Sequence, residues 1–248
     1  MKKTRKSAIK YGKATARQIL NKKNNYMVYL VMEKQLNTVG SSTYEKIKHD
    51  IIFGQLVPGS KLKLELIKSQ YEASVSTLRE TLNRLASEGF VLAEEQRGFY
   101  VTEVSQKDLI EIAKLRVLLE CHALKASVES GDDDWEGNLV AAHHKLQLME
   151  KKMIAGDVSE KETWKRYDWE FHLAVIEACN SKNLLDLHSI LYDKYLRYQM
   201  LVFTFRGDEA AQEHHKIFEA ALSRNGTEAA RLLEAHIING LEHTLAAM

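Results

Sequence analysis

Pro58 is the only proline in this 248-residue chain. Proline removes a backbone donor and breaks a helix interior, so beyond Pro58 nothing of that kind interrupts a helical ladder. The long runs there are rich in Ala, Leu, Glu and Lys, which lose least on entering a helix. With 45% hydrophobic residues the chain can build a folded core, and 28% charged residues is near the globular average. The expected fold class is mostly α. Cys121 and Cys179 have no CxxC partner and read as buried thiols in a reducing, cytoplasmic setting.

The formal charge of +1 conceals an asymmetry. Residues 1–40 hold ten Lys/Arg and one Glu; residues 41–102 hold eight of each sign; residues 103–248 hold 17 Lys/Arg and 25 Asp/Glu. A basic arm ahead of an acidic body suggests a polyanionic partner. The arm carries an apolar run, YMVYLVM, too short for a signal peptide or a membrane span. Met27 and Met32 are alternative translation starts, which would make the arm an artefact.

From Ser41 to Thr102 the pattern is regular. SSTYEKIKHDII starts at a Ser/Thr cap and repeats apolar residues at helical spacing through Tyr44, Ile47 and Ile51. VPGS is a turn. A short helix carries Leu64, Ile67 and Tyr71, and a third helix carries Leu78, Leu82 and Leu85. FVLAEEQRGFYVTEV reads as two strands around Gln96-Arg97-Gly98. Three helices and a hairpin predict a winged helix-turn-helix. Its third helix leaves Ser76, Thr77, Arg79, Glu80 and Asn83 off the packed face. Small hydroxyls at a helix start approach phosphates, and an arginine can read guanine in the major groove. The wing tip, Arg97-Gly98, suits a minor groove. Neutral charge in this segment fits a plain packing module instead.

The segments PGSKL, SVSTLRETLNRLASEGFV and QRGFYV resemble the DNA-binding domain of GntR-family bacterial transcription regulators. The likeness keeps Ser74, Ser76, Arg79-Glu80, Leu82, Leu85, Glu88 and Gly89. It departs at Val75, where the family usually has a base-reading arginine, and at Thr77, where it usually has proline. The resemblance implies double-stranded operator DNA as partner, read by Ser74, Ser76, Thr77, Arg79, Asn83, Arg97 and Gly98.

After a linker at 103–107, residues 108–248 read as six helices, an all-α bundle. Nine of the ten histidines lie here. Asp168 and His172 are four apart, on a face continuing through Val175, Ile176 and Cys179. His214 shares a face with Ile217, Phe218 and Ala221; His236 shares one with Leu232, Leu233 and Gly240. A single inward histidine is ordinarily a satisfied core residue. Three, with a carboxylate, need several separate partners or one cation. His215 competes with His214 for the inward position. Such a donor set suits zinc, nickel, copper or iron, and the carboxylate also admits manganese, with zinc, nickel and manganese the leading candidates.

KLRVLLECHA, DWEFHLAVIEACN, EHHKIFEAA and AARLLEAHI resemble the FCD effector-binding domain of FadR-type GntR proteins. In metal-containing members an Asp and three His are the ligands, which implies Asp168, His172, His214 and His236 here. Arg116, Arg197 and Asn239 are candidate effector contacts, Arg116 alternatively pairing with Glu120 one turn on. The resemblance implies a homodimeric regulator, commonly a repressor, that releases DNA when a small carboxylate or hydroxy acid binds, with a lean towards dicarboxylates. The rival readings are a metal-dependent hydrolase or lyase fused to a DNA-binding domain, and a constitutive DNA-bound scaffold. Neither HExxH nor a di-iron ExxH pair occurs, which weighs against catalysis.

Overall fold

The computed structural model describes residues 39–202 and 205–248. Residues 1–38 of the basic arm and both alternative starts lie outside the described residues.

The N-terminal winged-helix unit is built from α1 (Val39–Ile52), β1 (Lys61–Leu62), α2 (Leu64–Gln70), α3 (Val75–Ser87), β2 (Val91–Glu94) and β3 (Gly98–Val101). Helix α1 begins at Val39, two residues before the expected cap at Ser41. The hairpin forms around Gln96-Arg97-Gly98, with Val91 opposite Val101 and Glu94 opposite Gly98. Sequence patterning did not anticipate the third strand: β1 pairs antiparallel with β3 through Lys61–Tyr100 and Leu62–Phe99. Two residues are too few to show an alternating pattern. Helix α3 closes where Gly89 adopts φ +83, so that Phe90 N reaches Leu85 O at 2.9 Å and seats Phe90 in the core. Leu78, Leu82 and Leu85 are fully buried, each contributing about 1.5–3 kcal/mol.

The bundle consists of α4 (Gln106–Ser130), α5 (Asp133–Ile154), α6 (Lys161–Ile176), α7 (Lys182–Val202), α8 (Asp208–Leu222) and α9 (Gly226–Ala247). Ser105 caps α4 by accepting from Asp108 N at 3.1 Å, and Asp132 and Asn225 cap α5 and α9 likewise. Helix α6 tightens into a 3₁₀ turn at Glu177–Cys179 and stops where Asn180 takes φ +57. Cys121 and Cys179 are free thiols, only partly buried rather than sealed in the core.

Buried side chains form two clusters, and α7 belongs to both. Tyr195 and Tyr198 lie in the bundle core, while Tyr192, Leu196 and Met200 pack with the winged-helix unit. The Lys48 ammonium on α1 pairs with Asp193 on α7 at 2.5 Å. The expected linker is pinned to the same helix. Arg197 Nη2 donates to Thr102 O at 2.5 Å, and Ser105 N donates to the Tyr198 hydroxyl at 3.2 Å.

Candidate metal centre

Helix α6 turns Asp168 and His172 inward together, as their four-residue spacing requires. Helix α8 supplies His214 and α9 supplies His236, and one ring nitrogen from each of the three imidazoles lies within 4.8 Å of the others. Asp168 stands at the edge of this group, its Oδ1 3.4 Å from His214 Nε2. Its Oδ2 accepts from Tyr192 Oη at 2.7 Å and from Lys165 Nζ at 3.3 Å. His215 faces outward and pairs with Glu219, so His214 takes the inward position.

A ring of carboxylates backs the imidazoles. Glu120 Oε2 accepts from His172 Nδ1 at 3.0 Å, Glu150 Oε1 from His214 Nδ1 at 2.6 Å, and Glu213 Oε2 from His236 Nδ1 at 2.8 Å. A carboxylate at Nδ1 favours the tautomer with its proton there and its lone pair on Nε2, although at His236 the Arg206 Nη2 donor also lies 3.2 Å from Nδ1. His214 Nε2 and His236 Nε2 are then 3.2 Å apart. Two lone pairs at that distance repel unless a cation or a proton lies between them. Ligands each ~2.0–2.1 Å from one ion, at ordinary coordination angles, sit roughly 3 Å apart. The donor set therefore fits a divalent metal.

Electrostatics favour the same protonation states. Burial pushes His172 and His236 below the ordinary histidine range, keeping them neutral. Burial alone would raise the Asp168 carboxyl, but Lys165, His214 and His172 outweigh it and hold it well below the usual range. Burial opposes ionisation of Glu213 too, yet bonds from His236, Arg206 and Asn239 bring it down to about 2.

The face of α3 is organised differently. Ser74 Oγ accepts from Thr77 N at 3.1 Å and lies 2.8 Å from Ser76 Oγ, so Ser74 caps the helix. Ser76, Arg79 and Asn83 are exposed. Arg97 at the wing tip pairs with Glu94 at 2.9 Å, and Gly98 holds φ +96.

Residues 40–101 match the model of the bacterial regulatory proteins of the gntR family, and residues 111–239, more than half the chain, match the FCD domain. The HTH-type transcriptional regulator BphR of Paraburkholderia xenovorans is 35% identical over 198 residues, covering 79% of this chain and 81% of that protein. The chain belongs to the GntR family. The HTH-type transcriptional repressor GlaR of Escherichia coli is 30% identical, covering 83% of this regulator and 95% of its own length. The fold matches E. coli McbR/YncC with a TM-score of 0.72 at 21% identity, covering 85% of this chain and 99% of that one. A GntR regulator from Rhodococcus sp. RHA1 aligns with a TM-score of 0.68. Since these relatives are transcription regulators, this GntR protein is one also, and the reading as a hydrolase or lyase is set aside. No helix among the described residues is long and apolar enough to cross a membrane.

The regulator's imidazoles open onto a cavity with about 30 Å³ of free volume, lined also by Arg116, Lys165, Tyr195 and Arg206. Arg116 reaches it with its guanidinium already clamped on Glu120, Nε–Oε1 at 2.6 Å and Nη2–Oε2 at 3.2 Å. Two other expected effector contacts are elsewhere. Arg197 is turned to Thr102 O, and Asn239 is exposed, donating to Glu213 Oε1 at 2.7 Å behind His236. Neither lines the cavity. Sequence reasoning missed Lys165 and Arg206 as cavity cations, and Glu150 and Glu213 as supports of His214 and His236.

Proposed function

We propose that this GntR-family regulator is a cytoplasmic homodimer that represses from a palindromic operator and is released by a small carboxylate or hydroxy acid bound at a divalent metal. His172, His214, His236 and Asp168 would hold the ion, with zinc, nickel or manganese matching the donors. When bound, the metal supplies a Lewis-acidic attraction for a carboxylate oxygen. The observation that carries this reading is the approach of His214 Nε2 to His236 Nε2 at 3.2 Å, with a carboxylate at each Nδ1. Ser74, Ser76, Thr77, Arg79, Asn83, Arg97 and Gly98 are the proposed DNA-facing set, with Arg79 and Asn83 exposed on α3 and free to enter a major groove.

The cavity's size supports a link between binding and motion. About 30 Å³ accommodates roughly two waters. An organic acid therefore enters only as the wall moves, and α7 is part of that wall through Tyr192, Tyr195 and Gln199. Tyr192 packs at the same time in the DNA-reading unit, beside the Lys48–Asp193 pair. Displacing α7 would shift the winged helices of a dimer relative to each other. A coupling of ~1–3 kcal/mol makes a useful switch.

The test uses the full-length protein, metal-loaded or stripped with chelator, in gel-shift titrations with its own upstream DNA and a panel of organic acids. His172→Ala is expected to abolish the acid response while DNA binding persists. An acid response that survives in stripped protein or in His172→Ala would refute the metal-anchored sensor.

A further inference from the structure

Helix α4 buries one face in the bundle and leaves the opposite face open along its length. Lys107, Glu111, Leu118, Lys125 and Glu129 are exposed there. At ~100° per residue they fall within roughly 20° of one line down the helix. Leu118, at the midpoint, is 66% exposed. Leu115 beside it and Leu187 on α7, which packs against α4 through Tyr192 and Arg116, are also exposed. One exposed leucine is ordinary, but this one is the centre of a symmetric charge pattern.

Along that line the side chains run Lys, Glu, Leu, Lys, Glu. Laid against a second copy end for end about Leu118, Lys107 meets Glu129, Glu111 meets Lys125, and Leu118 meets itself. A parallel pair in register would set every charge against its own kind. Moving the antiparallel partner by one turn brings Glu111 onto Glu129 or Lys107 onto Lys125. One arrangement therefore matches all the charges. They are available for it: among the described residues the ion pairs of α4 are those of Arg116 and Glu120 on its buried face. Exposed ion pairs add little affinity, so these fix direction and register while the leucines supply the apolar contact.

The length of α4 gives an independent check. The helix begins at Gln106, twelve residues before Leu118, or ~18 Å at 1.5 Å per residue. Two copies crossing at Leu118 hold their α4 starts about 36 Å apart, close to the ~34–36 Å between half-sites one turn apart on DNA. The winged-helix unit hangs from that end of α4. Arg197 holds Thr102 O there, and Tyr198 holds Ser105 N, so its position follows the helix.

We infer that the open face of α4 is the surface on which two copies of this chain meet, antiparallel and centred on Leu118. This rests on the homodimer in the reading above, and on neither its metal nor its acid. A two-fold axis through Leu118 makes the contact self-complementary, so it closes at two copies.

The experiment is sedimentation equilibrium of the full-length protein and three variants, with circular dichroism to show that each is folded. All the altered side chains are exposed, so the fold should survive. Leu118→Asp sets two carboxylates face to face at the centre and is expected to raise the dimer dissociation constant about hundredfold. Glu111→Lys turns both of its pairs into Lys–Lys contacts and is expected to raise it roughly tenfold. Adding Lys125→Glu to Glu111→Lys should return it to within about threefold of the parent, since the pair is restored with its signs exchanged. A Glu111→Lys loss that Lys125→Glu does not repair overturns the inference. So does a dimer unchanged in both Leu118→Asp and Glu111→Lys, which would leave the homodimer standing on another surface. A parent that is monomeric throughout the concentration range removes the homodimer first and this inference with it.

Discussion

Glu150 offers the sharpest test of the proposed metal centre, because its removal should weaken metal binding there without harming the fold. The carboxylate is 2% exposed and its Oε1 lies 2.6 Å from His214 Nδ1. Glu150→Gln keeps the volume and an oxygen acceptor but deletes the charge that makes the opposite nitrogen, Nε2, a stronger donor to a cation. Loss of such an outer partner typically weakens metal binding by roughly 10- to 100-fold. Since glutamine retains the hydrogen bond, the lower figure applies, about tenfold or ~1.4 kcal/mol. Zinc at 100 times the wild-type dissociation constant stabilises the native state by ~2.7 kcal/mol, and in the variant the same zinc should give ~1.4 kcal/mol. The metal-free variant should be as stable as the parent or more so, because a neutral amide of the same shape replaces a buried carboxylate. Competition against a chromogenic chelator gives the zinc affinity, and denaturant unfolding with and without zinc gives the increments. Equal zinc affinity in parent and variant would refute the claim that Glu150 tunes a metal ligand.

Two further outcomes are expected. Arg79→Ala, on the exposed face of α3, should weaken operator binding by ~1–3 kcal/mol and relax its sequence preference, measured by fluorescence anisotropy, with zinc content unchanged. Burial pushes the Glu177 carboxyl up to about 7, a bond from Asn138 only partly opposing it. The native state therefore holds a proton that the unfolded chain releases above about 4.5, and stability falls as pH rises from there to about 7. Glu177→Gln should flatten that slope by on the order of 1–3 kcal/mol in denaturant unfolding between pH 5 and 8; an unchanged slope would place the titration elsewhere.

Much of the imidazole cluster's geometry was legible because helical periodicity is a strict ruler. Asp168 and His172 had to share a face, and Ile217 and Leu233 marked the inward sides for His214 and His236. The supporting carboxylates escaped notice because a glutamate on an amphipathic helix normally faces water. Yet Glu150 sits among Leu146, Met149 and Met153, all buried, and that apolar company was a usable signal. Lys165 was equally readable, three residues before Asp168. Arg197 and Asn239 were misplaced for the opposite reason: a polar residue near a site in sequence says nothing of which way its helix face turns. The Arg197 guanidinium points back to the linker, and Asn239 lies on the exposed side of α9. Strand β1 had no pattern to read, since its existence depends on β3 lying alongside.

Helix α7 complicates any view of this molecule as interchangeable modules. At 192, 196 and 200 its side chains complete the interior beneath the DNA-reading helix, while Tyr195 and Tyr198 serve the bundle. The sensory half thus encodes part of the other half's core. A chimera that set this bundle beneath a different winged helix would have to bring matching partners for Tyr192, Leu196 and Met200, or repack them. Compatibility between halves is decided on one face of one helix, far in sequence from where the chains would be spliced.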